Sequence, residues 1–391
     1  MPRRVLHIND YPPEQLGGAE VLMARTCQLL RDAGWDVRTF SRADLPDTRL
    51  TALRYINNRV ARAALRKTLA DFRPDVVHLH NYYHLLSPAI LADLDRYKRQ
   101  SAARIVMTAH DYHLVCPNSG GNWFHNRPQL VDVDRLQSWR YLLTRRWDHR
   151  GHGHSLLKLL QHIWHYRLHD RRRVIDLVLC TCRFLQGLVD RLALPSTHLP
   201  NPNPTVVPHT GPRPTELTIV FAGRIEPEKG IRRFLEIAPA DFPGRLLVIG
   251  DGADRPVCEA VCRDRGLSDR VTFLGRRPHT ETVALIAAAH VVLLPSLLFE
   301  TYPLCLQEAL AVGTNVLVAD YGGMREVVLD AGVGYRFEPN DPASLAGQLR
   351  LIRAAHEAGS LTTFDVSAFL AVRDESSYLA GLLRAYAGGR A

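Results

Sequence analysis

Leu217-Thr218-Ile219-Val220-Phe221-Ala222 runs directly into Gly223-Arg224, and Glu228-Lys229-Gly230 follows a few positions on. The apolar run does not alternate with polar residues. That pattern fits a parallel strand covered by helices on both faces. An arginine and a lysine then stand at the carboxyl end of that strand, where open α/β sheets bind their ligands. Arginine offers a bidentate fork to phosphate and lysine a compact charge. Lys229 is the only lysine beyond residue 200.

The same unit repeats outward in both directions. Downstream, strands are predicted at 245–249, 271–274, 291–294, 315–318 and 333–337. Helices are predicted at 231–238, 255–264, 280–288, 302–312, 324–329 and 342–356. Upstream, strands are predicted at 5–9, 36–41, 75–80, 104–109, 175–181 and 198–201, with amphipathic stretches at 19–32, 59–72, 88–97 and 155–173. Between the two series lie Pro200, Pro202, Pro204, Pro208, Pro212 and Pro214, a stiff connector. The expectation is an α/β protein of two Rossmann-like domains, 1–205 and 206–365, with a ligand cleft between them. A last helix over 366–391 has an attachment the pattern leaves open, a return to the first domain being one placement.

The 391 residues are 46% hydrophobic and 23% charged, which suits a soluble globular chain and excludes long disorder. No apolar run reaches the roughly 18–20 residues of a membrane span. The apolar segment 5–8 is too short for a signal peptide, so a cytoplasmic address is expected, with peripheral attachment to the inner face of a membrane as a further option. Seven cysteines are an odd set. The close pairs Cys180/Cys182 and Cys258/Cys262 lack a second pair at zinc-site spacing, so small buried hydrophobes are expected. The net charge of +9 is uneven: residues 1–200 carry 30 basic against 18 acidic side chains, the remainder 19 against 22. A basic half suits anionic lipid, anionic glycan or nucleic acid. No nucleic-acid-binding motif accompanies it, and no nucleic-acid partner is expected.

Three further motifs carry chemistry. Gly17-Gly18 sits between the first strand and the first helix, where free amides at a helix start bind anions. His110 closes the strand 104–109, placed to hydrogen-bond a substrate or move a proton. Phe299-Glu300-Thr301-Tyr302-Pro303-Leu304 leads into a helix carrying Glu308, with Pro303 expected in its first turn. Two carboxylates eight positions apart, roughly 12 Å along a helix, suit two distant hydroxyl groups of one ligand. A helix start between them suits a phosphate. A nucleotide sugar has this layout of sugar, diphosphate and ribose. Asp132/Asp134 and Asp93/Asp95 follow no convincing strand and are expected as surface carboxylates.

These stretches, with Gly250-Asp251-Gly252, Phe273-Leu274-Gly275, Gly322-Gly323 with Glu326, and Gly332 through Pro339-Asn340-Asp341, resemble the retaining glycosyltransferases of family four. The resemblance covers most of the chain and implies the GT-B fold, two Rossmann-like domains whose parallel sheets face each other across a cleft. It implies that Arg224 and Lys229 hold the donor diphosphate, that Glu300 contacts the donor sugar and that Glu308 binds the ribose. It further implies that Gly17, Gly18, Gly223 and Gly250 bring backbone close to the donor. Thr301, Tyr302, Pro303 and Leu304 would line the donor site, the loop at Arg276 would frame the base, and His110 would stand beside the reacting centre. No cofactor and no metal are implied; the nucleotide-diphosphate sugar is a co-substrate, UDP and GDP being the donors considered. The acceptor would be a glycan or a lipid-linked molecule in surface polysaccharide or glycolipid assembly. A donor-binding subunit without turnover, and an epimerase or phosphorylase of the same fold, remain open. One departure is Asn315, where the family pattern usually has proline.

Residues 139–173 are the least familiar. They interleave nine basic side chains with Trp139, Tyr141, Trp147, Trp164 and Tyr166. Leu156, Leu157, Leu160, Ile163 and Trp164 follow helical spacing and are expected to pack on the sheet. The charges are expected to meet an anionic membrane surface.

Overall fold

The computed structural model describes residues 3–13, 17–46, 51–203, 206 and 211–389. Pro204, Pro208 and residue 205, the last of the expected first domain, lie outside the described residues. The chain divides into two compact units. The first comprises Met1–His125, Val131–Asn201 and Glu375–Ala391; the second comprises Asn126–Leu130 and Pro202–Asp374.

The first unit contains β1 (Arg4–Ile8), β2 (Asp36–Phe40), β3 (Val76–Leu79), β4 (Arg104–Ala109), the short β5 (Asn122–Phe124), β7 (Leu177–Cys180) and β8 (Ser196–His198). Its main sheet is parallel in the order β2-β1-β3-β4-β7-β8. The strand expected over 198–201 ends earlier, because Pro200 has no N–H to continue the ladder. Val5, Val76, Val106, Leu177 and Leu179 face one layer, and helix Glu375–Tyr386 closes it with Tyr378, Leu382, Ala385 and Tyr386.

The second unit holds the short β6 (Pro128–Leu130), then β9 (Thr218–Ala222), β10 (Arg245–Ile249), β11 (Val271–Gly275), β12 (Val291–Leu294), β13 (Asn315–Ala319) and β14 (Tyr335–Phe337). Its main sheet is parallel in the order β11-β10-β9-β12-β13-β14. Ile219 and Phe221 enter one core with Leu246, Val248 and Leu293, while Val220 enters the other with Val292, Leu294, Val316 and Val318. Burial on both faces explains why β9 reads as an unbroken apolar run. The expected α/β architecture with two parallel Rossmann-like sheets is therefore present.

Three local expectations change. Asp93 is buried rather than superficial, held by Arg62 at 2.6 Å and Arg66 at 3.0 Å. A buried carboxylate persists only with such pairing. Pro303 is the N-cap of helix Leu304–Ala311, one position before its first turn. In the segment His152–Leu168 the apolar ridge points outward: Leu156, Leu160, Trp164 and Leu168 are 46–60% exposed. The buried face is Ser155, Leu159, Gln161, His162, His165 and Tyr166. Gln161 donates to the carbonyls of Tyr55 and Tyr83 at 2.6 and 2.9 Å, and His165 Nε2 lies 2.7 Å from the Ile56 carbonyl. Those bonds make burial of the polar face tolerable.

Cys258 and Cys262 sit in the core, and all seven cysteines are free. Among the described residues, no helix is long and apolar enough to cross a membrane.

Candidate functional site

In the second sheet the strand order reverses between β9 and β12, the point at which such sheets form a binding crevice. The loops after these two strands meet there. Gly230, at φ +76°, follows the turn Pro227–Lys229, and a Cβ on it would stand 1.8 Å from the Pro295 carbonyl oxygen. Leu297 N–H donates to the Glu228 carbonyl at 2.7 Å. Only glycine allows this approach, and the approach brings the Lys229 ammonium to 2.6 Å from Glu300 Oε1. Ser296 Oγ donates to the same carboxylate oxygen at 2.8 Å.

A second close contact fixes the other side of Glu300. The Gly323 amide donates to the Glu300 carbonyl at 3.0 Å, and a Cβ on Gly323 would lie 1.9 Å from the Thr301 carbonyl oxygen. Helix Gly322–Ala331 therefore starts on the backbone of the Glu300 loop. Tyr321, its N-cap, donates its hydroxyl to the Ser296 carbonyl. Burial, then the carboxylates of Glu300 and Glu338, hold the Tyr321 phenol well above its ordinary range.

Arg224 is exposed on the loop after β9, whose path is set by Gly250: a Cβ there would stand 1.9 Å from the Gly223 carbonyl oxygen. Glu308 is buried on its helix with Oε1 2.7 Å from His279 Nε2. His279 opens the helix that follows loop 276–278, so Glu308 lies beside the loop carrying the exposed Arg276. Cys305 lies within the field of Lys229, Glu300 and Glu308. Burial, then the two carboxylates, push its thiol up to about 12. The Tyr302 side chain belongs to the core with Leu306 and Val318 rather than to this polar cluster. Leu304 is the first residue of its helix, with Thr301 in the loop before it. Tyr321 and His279 escape sequence reasoning because each is set by tertiary contact, whereas Ser296 and Cys305 are local to the Glu300 loop and the helix after it. Only the Gly322-Gly323 pair gave a signal for the support under Glu300.

In the first unit, Gly17 is the N-cap of helix Gly18–Asp32, with Gly18 exposed and Glu20 buried one step further. Asn9 donates to Glu20 at 2.9 Å. His110 is half-buried at the end of β4, its Nε2 2.9 Å from His80 Nδ1. Three imidazoles behind it, His7, His78 and His80, offer nitrogens within 4.8 Å of one another. Their rings overlap, with His78 and His80 stacked at 4.5 Å and 21°. Both nitrogens of His78 are engaged, by Tyr386 at 2.6 Å and Thr108 at 2.8 Å. Stacked rings do not aim their lone pairs at one point, so the trio is a hydrogen-bonded cluster rather than a metal cage.

The sequence model of "Glycosyltransferase Family 4" matches residues 16–202, and that of "Glycosyl transferases group 1" matches residues 205–357. Glycogen synthase of Mycobacterium tuberculosis is 32% identical over 149 residues, 37% of this chain and 35% of that enzyme. The chain thus spans about a third of the length of the curated relatives it matches. Sucrose-phosphate synthase from Thermosynechococcus elongatus superposes with a TM-score of 0.72 at 20% identity, over 98% of both chains. Anabaena HepE, solved with UDP and glucose, superposes with a TM-score of 0.66 at 15% identity, over 98% of this chain and 99% of that one. At these identities the likeness is one of fold.

Proposed function

The chain belongs to the glycosyltransferases of family four, whose two models take in residues 16–202 and 205–357, and from this we propose that it moves a hexose-type sugar from a nucleotide-diphosphate donor to a glycan or lipid-linked acceptor, with retained configuration. The observation that carries the reading is the Lys229–Glu300 pair at the strand-order reversal, with Arg224 on the same loop. Lys229 and Arg224 are two cations placed where a diphosphate would shed charge as it leaves. Glu300 accepts from Lys229 and Ser296 on one oxygen, so its other oxygen serves sugar hydroxyls. Glu308, beside loop 276–278, suits a ribose.

Two side-chain cations and the start of helix Gly322–Ala331 supply enough positive potential to hold a diphosphate, and no metal is needed in this scheme. The leaving phosphate would assist deprotonation of the acceptor. The UDP and glucose recorded with HepE favour a UDP-sugar as the first donor to try. A donor-binding subunit without turnover would leave Arg224, Lys229 and Glu300 without a reaction to serve, and an epimerase or phosphorylase would show no transfer to an acceptor.

The test is a thermal-shift series with UDP, GDP, dTDP, ADP and CMP, each with and without EDTA. A ligand at about 100 times its dissociation constant adds about 2.7 kcal/mol of stability. One diphosphate raising the melting temperature in EDTA supports the donor class and the metal-free scheme. Silence from all five overturns the reading.

A further inference from the structure

A line of hydrogen-bonded imidazoles runs through the first sheet. His7 Nδ1 lies 2.9 Å from His80 Nε2, and His80 Nδ1 lies 2.9 Å from His110 Nε2. The rings stack along the line, His7 on His80 at 5.2 Å and 21°, and His80 on His110 at 5.2 Å and 16°. His7, His78 and His80 are fully buried. Burial, aided by Arg31, lowers the His7 pKa to about 3; burial also depresses His110 to about 4, against Asp111 and with His113. All are therefore neutral at neutral pH, and each carries one N–H and one bare nitrogen.

A line of neutral imidazoles has only two proton arrangements, because each bond needs one donor and one acceptor. The arrangements differ at the ends. The inner end, His7 Nε2, is buried and has no hydrogen-bond partner among the described residues. A buried N–H without an acceptor is rarer than an under-satisfied acceptor, so the bare nitrogen belongs at His7 Nε2. The charges agree: the Arg31 cation acts on the His7 end and the Asp111 anion on the His110 end. Both fields favour lone pair inside and N–H outside.

We propose that His7 and His80 are positioning residues that lock His110 into the tautomer protonated at Nδ1, making it a hydrogen-bond donor there and not a base. The assignment of tautomer stands by itself. Its use toward a sugar hydroxyl rests on the glycosyltransferase reading.

Nitrogen-15 NMR of histidine-labelled full-length protein at neutral pH reads the tautomer directly, with the His110→Gln spectrum identifying the His110 signals. The expected wild-type result is a protonated Nδ1 and a bare Nε2. A protonated Nε2 overturns the proposal, and this measurement needs no variant of His7. In His7→Leu nothing donates to His80, so the His110 signals shift to a mixture of tautomers. In His7→Asn an amide donates instead and the wild-type tautomer returns. An unchanged His110 in His7→Leu overturns the relay. Sugar transfer should fall roughly tenfold in His7→Leu, the loss of about one hydrogen bond, and recover in His7→Asn. If the NMR result holds while no nucleotide sugar is turned over by the wild type, the tautomer lock stands and the transferase reading fails.

Discussion

Lys229 and Glu300 are each other's counter-ion, so in the proposed function a diphosphate would share the ammonium with the carboxylate. Lys229→Ala and Glu300→Gln should each lower turnover by about 10²-fold or more, as expected for lost electrostatic stabilisers. Rates near wild type for both, in an assay of nucleotide release, would remove the site from the chemistry. The geometry depends on Gly230, whose φ of +76° and contact with the Pro295 carbonyl exclude a side chain. Gly230→Ala should cost more than about 1 kcal/mol in urea denaturation and lower turnover together with stability. The two charged partners are legible in the sequence because they sit at strand ends in an otherwise apolar pattern. Tyr321 is not, since it reaches the Ser296 carbonyl only when two separate loops meet.

Periodicity identifies a helix and its stripe, but not which stripe turns inward. Most strands of both sheets follow from apolar runs alone, because burial on two faces leaves no other reading. The segment His152–Leu168 misleads for a physical reason: Gln161 and His165 donate to the backbone carbonyls of Tyr55, Ile56 and Tyr83, which makes a polar face buriable. Leu156, Leu160, Trp164 and Leu168 are left outward, one per turn, with Arg171 and Arg173 beyond them. An exposed apolar ridge beside basic residues suits an anionic bilayer surface, and a lipid-linked acceptor would lie there. Leu160→Ser with Trp164→Ser should abolish flotation with anionic vesicles while changing stability by no more than about 0.5 kcal/mol per site. Equal binding of the wild type to neutral and anionic vesicles, or none to either, would discard this acceptor.

Several buried or half-buried histidines are neutral across both units, with pKa values depressed from 6.5 to about 3 at His7 and about 4 at His110, His165 and His290. Burial is the leading cause at each. Such groups bind protons in the unfolded chain before they do in the folded one. Their stability contribution is complete above about pH 6.5 and is lost as pH falls from there toward 4. The melting temperature should therefore be flat near pH 7–8 and fall steeply between pH 6.5 and 4, and a flat profile through that range would refute the buried neutral cluster. The last helix, Glu375–Tyr386, has one further consequence. It fills a core layer of the unit that the chain begins, with Tyr378 bonded to Thr26 at 2.9 Å and Tyr386 to His78 at 2.6 Å. During synthesis the opening two hundred residues must wait, with that layer uncovered and open to chaperones, until the whole intervening unit has been translated.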